Sequence, residues 1–127
     1  VVMDAPVKVG GEDSGPIPKP FVLAALSGCT GMDVAAILRK ANKEIDSFDI
    51  KVNGVLSKEA PIQYIAVHLE YIFKGNDLTK DAALNAVQDS QEKYCGVSSM
   101  LKKIMPVTWE VVYNDCIIFT NKTVEII

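Results

Sequence analysis

Phe21-Val-Leu-Ala-Ala-Leu-Ser-Gly-Cys29-Thr-Gly-Met-Asp33-Val34 is the stretch on which the reading of this chain turns. It lies in a predicted helix over 19–42, whose prolines stand at the start, where a missing N–H costs nothing. From Phe21 to Leu26 the pattern is apolar nearly all round, and it becomes polar only at Arg39, Lys40, Lys43 and Glu44. A helix apolar on every side at its front end reads as a buried helix. Within it, Gly28 and Gly31 each cost about 1 kcal/mol relative to Ala. Close approach by another backbone, or room for a reactant beside Cys29, would offset that cost. Tight helix packing around an inert buried thiol would do so equally well.

Outward from this helix, 1–9 is short, β-branched and broken by Pro6, and reads as the end of a strand. The Gly- and Pro-rich segment 10–20 reads as a loop. Beyond the helix, Phe48, Ile50 and Val52 alternate with Asp49, Lys51 and Asn53 as a half-buried strand. A second strand carries Gln63, Ile65, Val67, Leu69, Tyr71 and Phe73 on one face, and Tyr64, Ala66, His68 and Glu70 on the other. The polar bend 57–61 joins the two as a hairpin. Asp77 or Thr79 caps a helix over 80–95, with Ala83, Val87, Ser90 and Tyr94 as its inward stripe. Gly96 interrupts it, a short helix follows over 97–103, and Pro106 stops that one. Val107, Trp109, Val111 and Tyr113 then mark a further strand, and 116–120 and 123–127 read as strands meeting at Asn121-Lys122. This order, β–α–β–β–α–α–β–β, predicts an α+β domain with a largely antiparallel sheet and helices on one side.

Composition bounds the function. The 127 residues, 49% hydrophobic and 23% charged, fit one globular domain spanning 1–127. Because the chain opens at Val1, some N-terminal strand sequence is expected to be missing. Lys+Arg number 13 against 16 Asp+Glu, net charge −3, with Arg39 the sole arginine, which argues against a nucleic-acid partner. His68 is the only histidine, so a zinc site built on imidazoles is excluded, and neither a metal nor a cofactor is expected. Three widely spaced cysteines without a C-x-x-C do not make a secreted disulfide framework and fit the reducing cytoplasm. No signal peptide is visible. Ser27, Thr30 and Asp33 interrupt the longest apolar run, so no membrane-spanning helix is expected.

The residues with reactive potential are few. Cys95 precedes Gly96 at a helix junction, where the helix N-terminus and Lys93 would stabilise a thiolate. It is a nucleophile or resolving cysteine, or else a core residue. Cys116, among Ile117, Ile118 and Phe119, reads as structural. His68 shares a strand face with Glu70 and Tyr64, either for catalysis or simply hydrogen-bonded. Asp33, four residues after Cys29, would raise the pKa of that thiol, so a thiolate there needs a positive partner. Gly28-Cys-Thr-Gly31 also spells G-x-x-G, the nucleotide clamp of KH domains. Its place inside an apolar helix, followed by Asp33, sets that reading aside.

Pro18-x-x-Phe-Val-Leu-Ala-Ala-Leu-Ser-Gly-Cys29-Thr-Gly-Met-Asp33-Val, followed by Ile37-Leu-Arg-Lys40, resembles the first cysteine helix of the OsmC/Ohr family, the osmotically inducible and organic hydroperoxide resistance proteins. Ser90-Gln-Glu-Lys-Tyr-Cys95-Gly-Val-Ser-Ser-Met-Leu101 is similar to its second cysteine segment, in the OsmC-like branch. His68 in Val67-His-Leu-Glu-Tyr-Ile-Phe73 and the strand Val107-Thr-Trp-Glu-Val111 also fit. The resemblance implies an intertwined homodimer in which the sheet packs on two long central helices. It implies a cysteine-based peroxidase in which Cys29 attacks an organic hydroperoxide and Cys95 resolves the sulfenic acid as a disulfide, reduced by an external thiol. Such a bond needs the two Cα atoms within roughly 4.4–6.8 Å. Family members carry a glutamate where this chain has Lys19 or Pro20, and an activating arginine in their N-terminal strands. The supporting candidates here are Lys19, Glu92 and His68. The alternative within the same fold is a non-catalytic protein that binds a small apolar ligand or senses oxidants.

Overall fold

The computed structural model describes residues 1–122. The elements are α1 (Pro20–Lys40), β1 (Ser47–Leu56), β2 (Tyr64–Lys74), α2 (Lys80–Asp89), α3 (Gly96–Lys102), β3 (Val107–Tyr113) and β4 (Cys116–Thr120). The strands form one sheet in the order β1-β2-β3-β4, antiparallel at β1–β2 and β3–β4. The mixed α+β architecture with a mostly antiparallel sheet is the expected one. The β2–β3 pair is parallel, and a parallel pair requires a crossover, which α2 and α3 supply.

Side chains alternate across each strand. Val67, Leu69, Tyr71 and Phe73 of β2 and Val111 and Tyr113 of β3 therefore face one core, shared with Leu26, Val34 and Leu38 of α1 and Val87 of α2. Phe48 of β1 stacks on Phe73 with ring centroids 4.5 Å apart. Ile65, predicted on the same face, is exposed; pairing is already irregular at that end, with a bulge between Val55 and Leu56. A two-residue turn, Asn114-Asp115, joins β3 to β4 with φ of 47° and 68°, the left-handed geometry that matches strand twist.

Several expectations change. α1 is buried along one stripe only, Leu26, Thr30, Val34 and Leu38, because it packs on β1, α2 and α3 from one side. Val22 and Met32 stay exposed, and by length and composition the helix is long and apolar enough to cross a membrane despite its polar residues. Segment 1–9 is not strand; it holds a short helical turn at Val7–Val9. The reason is Asp4, whose carboxylate accepts from the amides of Ala5, Glu12 and Ser14 and closes a local loop. Those amides hold its carboxyl down at about 2. Cys116, read as structural, is exposed where β4 begins. The helix predicted over 80–95 is regular only to Asp89, and Ser90–Tyr94 forms one wide π turn closed by Cys95 N–H to the Ser90 carbonyl at 2.7 Å. The extra residue in that turn rotates Gln91 inward and leaves Tyr94 exposed, against the predicted stripe. The strand predicted over 123–127 lies outside the described residues.

Candidate active site

α1 carries Cys29 half-buried, one residue before the buried Thr30. The π turn ends at Cys95, which is buried and caps α3, its Sγ accepting from Ser98 N–H at 3.4 Å. The fold brings these two cysteines near each other, so that each thiol acts on the other's ionisation. Both are free thiols. Burial pushes the Cys95 thiol up to about 11, the Ser98 amide opposes this, and the neighbouring Cys29 and Asp33 add to it. The sequence predicts the reverse shift from the helix N-terminus and Lys93. Lys93 points instead to Asp89 at 3.6 Å, and desolvation outweighs the single amide.

A buried polar chain surrounds the pair. Thr30 Oγ1 lies 2.7 Å from both the Tyr71 hydroxyl and Ser90 Oγ. Ser90 Oγ donates to Asp33 at 2.9 Å, and Gln91 Nε2 donates to the Tyr71 hydroxyl at 2.6 Å. Ser98 Oγ donates to Gln91 Oε1 at 2.5 Å. Burial raises the Tyr71 phenol to about 12, with Thr30 and Gln91 opposing, so it stays protonated. Every link is satisfied, and such a network fixes the two cysteine-bearing segments relative to each other.

A cation completes the arrangement. Lys102, seven residues after Cys95, bonds the Gln91 carbonyl and lies 4.9 Å over the Trp109 ring. Its burial lowers its pKa, while Glu92 and the Cys95 thiolate favour its charged form. A cleft of about 450 Å³ is lined by Cys95, Lys102, Glu92, Ser99 and neighbouring residues.

Of the residues predicted from sequence, Cys95 and Glu92 line this cleft, and Cys29 stands near Cys95 beside the network residue Thr30. Lys19 does not: it stands outside the start of α1, ten residues and about 15 Å of helix before Cys29. His68 projects from the other face of the sheet, away from the core that holds Cys95. Thr30, Tyr71, Gln91, Ser98 and Lys102 were not anticipated, and Ser90 was expected to face inward but not to join this network. A signal for Thr30 exists in the four-residue spacing Leu26, Thr30, Val34, Leu38, which places it on the buried stripe beside Cys29.

The family model described as "OsmC-like protein" matches residues 11–110. Protein YhfA of Escherichia coli (strain K12) is 37% identical over 96 residues, covering 76% of this chain and 72% of that protein. A hypothetical protein from Aquifex aeolicus VF5 superposes with a TM-score of 0.69 at 31% identity, over 81% of this chain and 78% of its own. An organic hydroperoxide resistance protein from Elizabethkingia anophelis shares the fold, with a TM-score of 0.68 at 16% identity over 88% of this chain and 79% of its own. Two cysteine-bearing segments brought face to face in this fold, and a family match across most of the chain, lead to one assignment: the chain belongs to the OsmC-like protein family.

Proposed function

We propose that this protein reduces organic hydroperoxides through Cys29 and Cys95 and is recycled by an external thiol. Family membership supports a peroxide-stress-related role. The observation that carries the finer reading is the nearness of the two thiols, with Cys95 kept protonated beside Cys29. Cys29, the more exposed of the two, meets the peroxide first. Its thiolate attacks one peroxide oxygen, the O–O bond breaks, and after proton uptake the products are an alcohol and Cys29 sulfenic acid. The Cys95 thiol then condenses with that acid, forming the disulfide and releasing water. Two equivalents of external thiol reduce it, as a reducing compartment such as the cytoplasm would allow. Lys102 supplies the positive partner on the Cys95 side, which favours the thiolate released when the disulfide is opened. The exposed stripe of α1, Ala25, Gly28, Met32 and Ala36, supports a homodimer across this helix.

Thiol titration after cumene hydroperoxide tests the reading. The wild-type chain should lose two thiols within minutes at micromolar peroxide and gain an internal disulfide. Cys29→Ser should lose neither, and Cys95→Ser should stop at a sulfenic acid trapped by dimedone. If the wild-type chain loses no thiols under these conditions, the peroxidase reading fails. A disulfide that forms with peroxide and is reduced by added thiol, but without sustained hydroperoxide turnover, would instead mark an oxidant sensor.

A further inference from the structure

We propose that His68, Glu70 and Glu110 form a binding site for one divalent transition-metal ion of the zinc class on the outer face of the sheet. The parallel register builds the group: His68 pairs with Thr108 and Glu70 with Glu110 across β2 and β3. One donor atom from each of the three residues lies within 4.8 Å of the other two. His68 Nε2 stands 2.9 Å from Glu110 Oε1. That contact is a hydrogen bond, and an ion bonded tetrahedrally at about 2.1 Å to the same two atoms would hold them about 3.4 Å apart, a shift of about half an ångström.

The surroundings of the imidazole fit the same use. His68 is 3% exposed, and Nδ1 lies 2.7 Å from Thr108 Oγ1. A partner on one ring nitrogen that aims the other at the ion is the usual support of a metal-bound histidine. Like charges directly opposite on neighbouring strands destabilise a sheet. Glu70 and Glu110 are such a pair, and a cation between them turns repulsion into attraction. Lys51 faces Glu70 from β1 but is itself exposed. One imidazole nitrogen with two carboxylate oxygens suits zinc, cobalt or manganese, whereas calcium and magnesium favour oxygen alone. The single histidine excludes a site built on imidazoles, but this mixed set needs only one. The site lies across the sheet from the two thiols and owes nothing to them.

Calorimetric titration of the metal-stripped chain with zinc, and cobalt absorption spectra, test this. One zinc per chain should bind at micromolar concentration, in wild type and in Cys29→Ser/Cys95→Ser alike, and raise the thermal midpoint. The cobalt form should show d–d bands without thiolate charge transfer. Glu70→Gln/Glu110→Gln should lose binding while melting normally without metal, because a glutamine carbonyl still accepts from His68. Three outcomes overturn the proposal: no saturable binding below millimolar zinc, binding lost with the two cysteines, or binding unchanged in the double glutamine variant.

Discussion

At the scale of single residues, the chemistry is set by a contrast between two thiols. Cys95 is raised from 9.0 to about 11 chiefly by burial. Between those values the folded chain keeps a proton that the unfolded chain has released. Stability contributed by this group is therefore complete below pH 9 and is lost as pH rises toward 11. Chemical denaturation across pH 8 to 11 should show that alkaline fall in the wild type and a shallower one in Cys95→Ala. Lys102→Met retains an apolar stem over Trp109 but removes the charge near Cys95. Thiolate absorbance should then move Cys95 further up, and opening of the disulfide by an external thiol should slow. Thr30→Val leaves the Tyr71 and Ser90 hydroxyls without a shared partner and should cost about 1–3 kcal/mol in urea unfolding. The cysteines were legible because their residue type and the glycines around Cys29 mark them. Thr30, Gln91 and Lys102 were not, because their role depends on which residues tertiary packing buries; Ser90 was expected to face inward and does, but its hydrogen-bond partners were not readable.

At the scale of elements, helix ends and turns follow local chemistry closely. α1 ends where Asn42 adopts φ of 56°, with Lys43 N–H on the Leu38 carbonyl at 2.9 Å and Asn42 N–H on the Arg39 carbonyl at 3.1 Å. That is the paired closure of a Schellman motif, which glycine fills most readily. Asn42→Gly should leave thermal stability unchanged or slightly raised, whereas Asn42→Val should lose about 1–2 kcal/mol, the cost of a branched residue at positive φ. The alternating strands Phe48–Val52 and Val107–Tyr113 were readable, whereas the helix predicted to run through Asn42 ends at Lys40. Two further features were not readable. A π turn inserts one residue into an otherwise regular period, so Gln91 and Tyr94 exchange places without altering the pattern before them. The loop around Asp4 is held by one carboxylate gathering three amides, which overrides the β-branched character of 1–9.

At the scale of the whole molecule, α1 has two faces with different owners. One is used inside the chain: Gly31 sits against Ile50, where an added Cβ would come within 3.2 Å. The other has no owner among the described residues, since a Cβ at Gly28 would meet nothing there within 4 Å and Met32 is 75% exposed. In an isolated chain, Gly28→Ala should simply gain helix propensity, about 1 kcal/mol. If a second copy packs its own α1 there, the same glycine is the point of closest approach, and side chains at 28 and 32 set the interaxial distance. The two cases give opposite outcomes for larger changes. Light scattering after size exclusion should report a dimer for the wild type and a monomer for Gly28→Leu and Met32→Glu, with Cys29–Cys95 disulfide formation retained because both thiols belong to one chain. A wild-type monomer, or a dimer indifferent to both substitutions, would remove α1 as the interface and leave the open space beside Gly28 to another occupant.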